Sequence, residues 1–152
     1  MKEEIVETFS LLHDGYLEFI EGNESELRIN ISIDFLVKYI NQDYTSLNIF
    51  LNDISGIEYL DWSDNKTVYS DLQTIISIAN GIWLTKCDFN IDGRIAIHGH
   101  GGNSNDETSC GGSIFLNSEN YRIIDDGGNE LSLSQLKHLN KLYWNDFAKK
   151  TN

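Results

Sequence analysis

The sequence is poor in several residue types that build common kinds of site. It contains no proline and only two cysteines, Cys87 and Cys110, which are not in CxxC spacing. Neither a disulfide framework nor a cysteine-rich zinc site is therefore indicated. Alanine and arginine are also scarce, a bias expected of an AT-rich genome, so the many asparagines need no functional explanation.

Long apolar runs are missing as well. No segment approaches the ~18 consecutive apolar residues that a membrane-spanning helix needs. Residues 1–9 lack the basic and apolar regions of a secretory signal, so we expect a cytoplasmic protein. No linker, repeat or low-complexity tract interrupts the chain. We therefore expect a single domain over residues 1–152, with a β core at about 12–124 and a C-terminal helix at about 132–149.

Basic residues are scarce relative to acidic ones. The 24 aspartates and glutamates against 11 lysines and arginines give a net charge of −13. Residues 1–79 hold most of it, since 15 acidic and 4 basic residues there give −11. A surface of this sign repels nucleic-acid phosphates and anionic lipid headgroups, and it attracts basic proteins over long distances. We expect a basic protein as partner, and neither nucleic acid nor a membrane, although the charge would also serve solubility alone.

Alternating apolar and polar residues predict short β-strands over most of the chain. The predicted strands cover residues 16–20, 27–33, 47–51, 56–62, 83–91, 94–98, 113–116 and 121–124. Asn80-Gly81 and Asp92-Gly93 predict tight hairpin turns, because these pairs tolerate the positive φ values of a type I′ turn. Residues 67–79 predict a helical turn that runs into a strand, and the glycine-rich residues 98–112 predict a loop.

The order of these elements predicts the fold class. The first two predicted strands should pair as a hairpin, and the third and fourth should pair in the same way. In the fifth strand, strict alternation places Trp83, Cys87 and Phe89 on one face. Seven or eight short strands predict a mainly β fold, with an antiparallel barrel-like or sandwich sheet and a C-terminal α-helix.

The C-terminal helix has its own sequence signals. Ser132 and Gln135 form a capping box at its start. Apolar residues then recur at helical spacing at Leu136, Leu139, Tyr143 and Phe147. Because an amphipathic helix must bury its apolar face, we expect this helix to dock on the sheet of its own domain.

The region around His98 is where residue types suggest chemistry. His98 and His100 stand two residues apart, so in a strand both imidazoles face one side, and Cys110 or His13 would add a third zinc ligand. A second interpretation makes Cys110 a nucleophile, with either histidine as base and Asp106 as the residue that orients it. The third is a polar loop without chemistry. No motif for nucleotide binding, zinc proteolysis or serine hydrolysis is present, and we assign no catalytic residue.

The segment Leu12-His13-Asp14-Gly15, just before the first predicted strand, resembles the Leu-His-Asp motif of a group of small bacterial domains of unknown function. The same layout fits the hairpin after the motif, residues 52–57 and 71–76, and an exit strand followed by a glycine-rich stretch. The resemblance covers about residues 12–124, and Gly15 stands where alanine is more usual. Several of these domains are thought to be immunity proteins, so the resemblance implies binding to a toxin and no catalytic residue.

These observations lead to one hypothesis and two alternatives. The hypothesis is an immunity-type antitoxin that neutralises a basic toxin through an acidic face, without a cofactor. The expected contact residues are Glu18, Glu21, Glu24, Glu26, Asp43, Glu58, Asp61 and Asp64, with Tyr44, Tyr59 and Trp62 as aromatic anchors. One alternative is a metal-binding protein or metal-dependent enzyme that holds zinc with His98, His100 and Cys110. The other alternative is a structural or assembly subunit.

Overall fold

Ten β-strands and four helices form within the residues that the computed structural model describes, which are 1–63, 66–101 and 110–151. In chain order the elements are α1 (Lys2–Leu11), β1 (Tyr16–Gly22), β2 (Glu26–Ser32), α2 (Asp34–Val37), β3 (Ser46–Asn52), β4 (Ser55–Asp61), β5 (Val68–Tyr69), α3 (Leu72–Ile78), β6 (Ile82–Phe89), β7 (Ile95–Gly101), β8 (Gly112–Asn117), β9 (Asn120–Asp125), β10 (Glu130–Leu131) and α4 (Leu133–Thr151).

All ten strands belong to one antiparallel sheet in the order β10-β9-β3-β2-β1-β6-β7-β8-β4-β5. β3 and β4 lie far apart in this order, yet only residues 53–54 join them, and residues 118–119 join β8 to β9 in the same way. Such links span about 10 Å, which is the separation of two packed sheets. The sheet therefore folds over into two layers, and it turns between β1 and β6.

The predicted mainly β fold with a C-terminal helix is confirmed, as a sandwich. The strand order ends at β10 and β5, which do not pair with each other among the described residues, so the sheet is not closed into a barrel. The core is formed by apolar residues at every second position of the strands, because every second side chain of a strand faces inward. In the central strands the inward side chains include Leu27, Ile29, Ile31, Leu47, Ile49, Leu51, Ile95, Ile97, Ile114 and Leu116, all almost fully buried.

Helix α1 is absent from the sequence prediction. Ile5, Phe9 and Leu12 lie on one face of it and are buried. The helix packs against β6, β7 and α4, and the Ser10 hydroxyl donates a hydrogen bond to the carbonyl oxygen of Cys87 in β6 at 3.1 Å. These three apolar residues have helical spacing, so the sequence did contain a signal for this helix. The signal lies just before residue 12, where the predicted β core begins.

Several local predictions were wrong because distant pairing decided them. β3 and β4 pair with other strands and not with each other. Residues 67–79 contain a short strand followed by helix α3, the reverse of the expected order, and Asp71 caps that helix by accepting the N–H of Thr74 at 2.9 Å. Gly81 follows α3 and closes no hairpin, whereas the turn at Asp92-Gly93 does join β6 to β7.

Helix α4 begins with the predicted capping box. Ser132 N–H donates to the Gln135 side chain at 2.7 Å, and Gln135 N–H donates to the Ser132 hydroxyl at 3.1 Å. The helix contacts α1 and α2, and Leu136 and Leu139 on its apolar face are buried in the same core as the apolar side chains of the sheet. Leu136 is buried at its start. Its distal half leaves large aromatic rings at the surface.

Candidate functional site

The Leu-His-Asp segment forms the turn between α1 and β1. Leu12 is buried, and His13 Nδ1 lies 2.9 Å from the carbonyl oxygen of Ser10. Asp14 has a φ of 71°, a left-handed conformation that costs little for Asp or Asn. Its N–H donates to the Leu84 carbonyl in β6 at 2.8 Å, so the turn is fastened to the sheet and the carboxylate points away, largely exposed.

Glycine at position 15 has a steric reason. A Cβ there would lie 2.7 Å from Ile31 Cγ2 and 2.9 Å from the Leu12 carbonyl oxygen, both well inside van der Waals contact. The turn therefore packs directly against Ile31 of β2, and an alanine at position 15 would not fit without a shift of the backbone. This close approach keeps the backbone of the turn, including Asp14, against the sheet.

A cleft of about 480 Å³ opens beside this turn, at the corner where the two layers meet. Tyr16 and Trp83 are paired across β1 and β6 there, and their ring centroids are 4.8 Å apart. The cleft is lined by Asp14, Tyr16, Ser32, Asp34, Phe35, Thr45 and Trp83. It therefore combines aromatic rings with carboxylates, and none of the described residues that line it is a lysine or arginine.

Two further carboxylates are attached to the walls of the cleft. Glu18 accepts a hydrogen bond from the Ser32 hydroxyl at 3.0 Å, and Asp126 accepts the N–H of Thr45 at 2.7 Å. Burial acts to raise the pKa of Asp126, but hydrogen bonds from Thr45 and Ser46 outweigh it and hold that pKa below its ordinary value. Asp126 is thus ionised at neutral pH.

Exposed aromatic rings extend from the cleft along α4. Phe35 packs against Tyr143 with ring centroids 4.7 Å apart, and Tyr143 packs edge-on against Trp144 at 5.1 Å. Trp144 stacks on His13 at 6.0 Å. Trp83 and Trp144 are 39% and 40% exposed, so together with the neighbouring rings they form an apolar patch at the surface. We call the cleft and these rings the aromatic corner: His13, Asp14, Tyr16, Asp34, Phe35, Trp83, Tyr143 and Trp144.

The acidic residues expected at the partner interface are spread over both layers. Glu21, Glu24 and Glu26 lie exposed at or near the β1–β2 hairpin, and Asp43 lies exposed before β3. Glu58 and Asp61 lie on β4 in the other layer and are half-buried. Asp64 lies outside the described residues.

Three of these carboxylates already have arginine partners. Glu21 pairs with Arg28, Glu26 with Arg122 at 3.2 Å, and Glu58 with Arg94. Asp61 accepts the N–H of Ser63 at 2.9 Å. Glu18 is the predicted residue that lies beside the aromatic corner, and the paired glutamates contribute less to the net field than their number indicates.

The predicted aromatic anchors differ in exposure. The expectation that Tyr59 is available at the surface was wrong, because this ring is only 4% exposed in the core and desolvation raises its pKa to about 12. Tyr44 is half-buried against the core. Trp62 is exposed. Tyr59 lies two residues after Ile57 on the same face of β4, and Ile57 also packs against the core.

His98 takes part in a hydrogen-bonded chain on the outer side of the second layer. The Trp62 Nε1–H donates to Ser113 Oγ at 3.1 Å, Ser113 Oγ lies 2.6 Å from His98 Nδ1, and His98 Nε2 lies 2.8 Å from Asp88 Oδ1. Because a carboxylate can only accept, Nε2 carries the imidazole proton and Nδ1 accepts from the serine. The chain has the residue order of an acyl-transfer triad, Ser, His and Asp, but the two imidazole nitrogens are exchanged relative to it.

Burial assigns this chain a structural role. Ser113 is 2% exposed, and its oxygen already accepts the Trp62 N–H. The Trp62 ring stacks on His98 with centroids 6.4 Å apart. The hydroxyl is thus enclosed and not presented to a substrate, and the chain holds Trp62 against the sheet.

Among the described residues, the structure shows neither an assembled zinc site nor an assembled site around Cys110 as a nucleophile. His98 and His100 lie on β7, which extends to Gly101, so the prediction that a loop begins at residue 98 was wrong. Both ring nitrogens of His98 already have hydrogen-bond partners. Within 1–63, 66–101 and 110–151, no three His, Cys, Asp or Glu side chains are grouped to hold a metal ion. Cys110 is exposed, and Asp106 lies outside the described residues.

Replacing Ser113 with alanine should lower the free energy of unfolding by about 2 kcal/mol, because it leaves Trp62 Nε1 and His98 Nδ1 without their partner. Urea unfolding followed by circular dichroism measures this. The matched change Ser134→Ala, on the exposed face of α4, should alter stability by less than about 0.5 kcal/mol. Equal, small effects of the two substitutions would show that the chain does not stabilise the fold.

The fold and the aromatic corner define a mainly β sandwich with an acidic and aromatic surface cleft. Comparisons of the chain with protein-family models, curated proteins and solved structures found no match. None of the described helices is both long enough and apolar enough to cross a membrane. The sequence missed Asp34, Phe35, Trp83 and Trp144 as site residues.

Proposed function

We propose that this protein is a binding protein of the immunity type, which neutralises a basic protein by covering part of its surface. The observation that carries the proposal is the aromatic corner, where exposed rings and carboxylates line a cleft that has no lysine or arginine among its described lining residues. The net charge of −13 and the resemblance of residues 12–15 to the Leu-His-Asp domains support the same class of function.

Charge and aromatic rings have different parts in this proposal. The acidic field increases the rate of encounter with a basic surface, an effect that falls with ionic strength. Tryptophan and tyrosine supply the buried contacts that dominate affinity in most protein interfaces. The aromatic corner therefore replaces Tyr59 as the centre of the interface, while Glu18, Glu24 and Asp43 remain part of the steering field.

The first test is native mass spectrometry of the tagged protein purified from its own host without chelator. We expect a stoichiometric complex with a basic protein on a chain that carries no metal. A lone chain that carries zinc, and loses it when His98 and His100 are changed to alanine, would overturn the proposal in favour of the metal-binding alternative. Self-association without a second protein would favour the assembly-subunit alternative.

The second test uses the isolated complex and measures association rates at increasing salt. Replacing Glu24 and Asp43 with lysine should slow association by about tenfold at low salt and flatten its salt dependence. The matched variant Glu119→Lys with Glu130→Lys changes the net charge equally on other exposed segments. An unchanged rate for the first variant, or identical rates for both, would show that the expected face does not steer the partner.

A further inference from the structure

We propose that the cleft of the aromatic corner is a receptor for the guanidinium group of one arginine side chain of the partner. This inference rests on the proposed function, because it specifies how the binding protein would hold a basic protein. It starts from a recurring arrangement on the protein's own surface.

Three arginines of this chain lie over an aromatic ring and pair with a glutamate. The guanidinium carbon of Arg28 lies 5.0 Å from the centroid of Phe19, that of Arg94 lies 5.3 Å from Phe115, and that of Arg122 lies 4.8 Å from Phe50. Their carboxylate partners are Glu21, Glu58 and Glu26, respectively. A ring face and a carboxylate together satisfy the apolar plane and the charged edge of a guanidinium.

The cleft offers rings and carboxylates as well, and none of its described lining residues is an arginine. Trp83 and Tyr16 present rings tilted at 58° to each other, and Phe35 forms another wall. Asp14 and Asp34 supply carboxylates at the edge. Asp14 Oδ2 lies 3.9 Å from His13 Nε2, and neither carboxylate is paired with a lysine or arginine among the described residues. A different cleft, lined by Glu21, Glu26 and Phe50, shows the contrast because Arg28 already lies in it.

Arginine fits this cleft better than lysine for geometric reasons. A guanidinium is planar and weakly hydrated, so it loses less solvation when it stacks between rings, and its fork of donors can reach two carboxylates at once. Asp14 is held in place by its N–H bond to Leu84, so little freedom is lost when it binds. Glu18 and Asp126 deepen the negative potential from behind the cleft walls.

The test titrates the whole protein with N-acetyl-arginine amide and follows the indole N–H signal of Trp83 by ¹⁵N NMR. N-acetyl-citrulline amide, which has nearly the same shape without the charge, is the matched control probe. We expect the arginine probe to shift the Trp83 signal at millimolar concentration, the citrulline probe to leave it in place, and N-acetyl-lysine amide to bind more weakly. Equal responses to arginine and citrulline would overturn the inference.

The matching variant changes both cleft carboxylates, Asp14→Asn and Asp34→Asn. Asparagine tolerates the positive φ of position 14, so folding should be preserved, and the NMR spectrum reports this directly. We expect affinity for the arginine probe to fall by about fivefold. The control variant, Asp53→Asn with Glu119→Gln, changes the net charge equally in a cleft that contains Lys2, and it should leave the titration unchanged.

The outcomes separate this inference from the proposed function. If a basic partner binds with the same affinity to wild type and to the Asp14→Asn, Asp34→Asn variant, the arginine receptor is wrong and the binding function stands. If the arginine probe binds but the purified protein has no basic partner, the binding function is wrong while the cleft chemistry stands. Binding of a second copy of this chain at the cleft would overturn the inference, because the occupant would then be an acidic protein.

Discussion

Replacing Phe9 with alanine will lower the free energy of unfolding by about 4 kcal/mol. The ring is 1% exposed on the inner face of α1, where that helix meets β6 and β7, and its removal leaves a cavity that rigid strands cannot close. Because α1 leads directly into the Leu12–Gly15 turn, the same change should also loosen Asp14 and weaken binding of the arginine probe. Denaturant unfolding and the NMR titration measure the two effects.

The control is the same chemical change at an exposed position. Phe89 lies at the end of β6 and is 42% exposed, so Phe89→Ala should cost less than about 1 kcal/mol. If the two substitutions destabilise the protein equally, α1 is not an integral part of the core. If Phe9→Ala unfolds the chain altogether, Phe9→Leu should restore a folded protein with an intermediate loss of stability.

Gly111→Ala will destabilise the fold by about 3 kcal/mol. A Cβ at this position would lie 2.2 Å from the Gly99 carbonyl oxygen and 2.5 Å from His100 Cα, and both atoms belong to the backbone of β7. Its φ of +100° adds a conformational cost for any side chain. Thermal or urea unfolding provides the measurement.

Two other glycines with positive φ serve as controls, because they separate the cost of the steric clash from the cost of the backbone conformation. Gly93 and Gly128 have φ values of +85° and +81°, but a Cβ at either would meet no atom within 4 Å. Alanine there should cost about 1 kcal/mol. A loss at Gly111 no greater than at these positions would mean that β7 yields easily to the added methyl group.

The strands were predictable because their inward positions repeat every second residue. The residues 27–33 and 47–51 have this pattern without interruption, and both form strands whose apolar side chains are buried. The capping box of α4 was also visible, since it depends on residues three positions apart. Local chemistry of this kind needs no knowledge of distant contacts.

Predictions failed where pairing between distant segments overrides the local pattern. In β6 the register shifts between Leu84 and Lys86, and this irregularity places Trp83 on the face opposite Cys87 although alternation assigns them together. The bulge has no signature in the nearby sequence. The burial of Tyr59 did have one, because Tyr59 stands two residues after Ile57 on the same face of β4, and both side chains pack in the core.

The sequence by itself determined the acidic character, the mainly β class and the start of the last helix, because composition and short-range periodicity are sufficient for each. Only the tertiary structure decided the candidate site. Asp14, Asp34 and Trp83 are distant in sequence, and they meet because the sheet turns between β1 and β6, where two residue pairs join its layers. That turn depends on the two-residue links between layers, which limit how far the strands can separate, and no single segment encodes such a constraint.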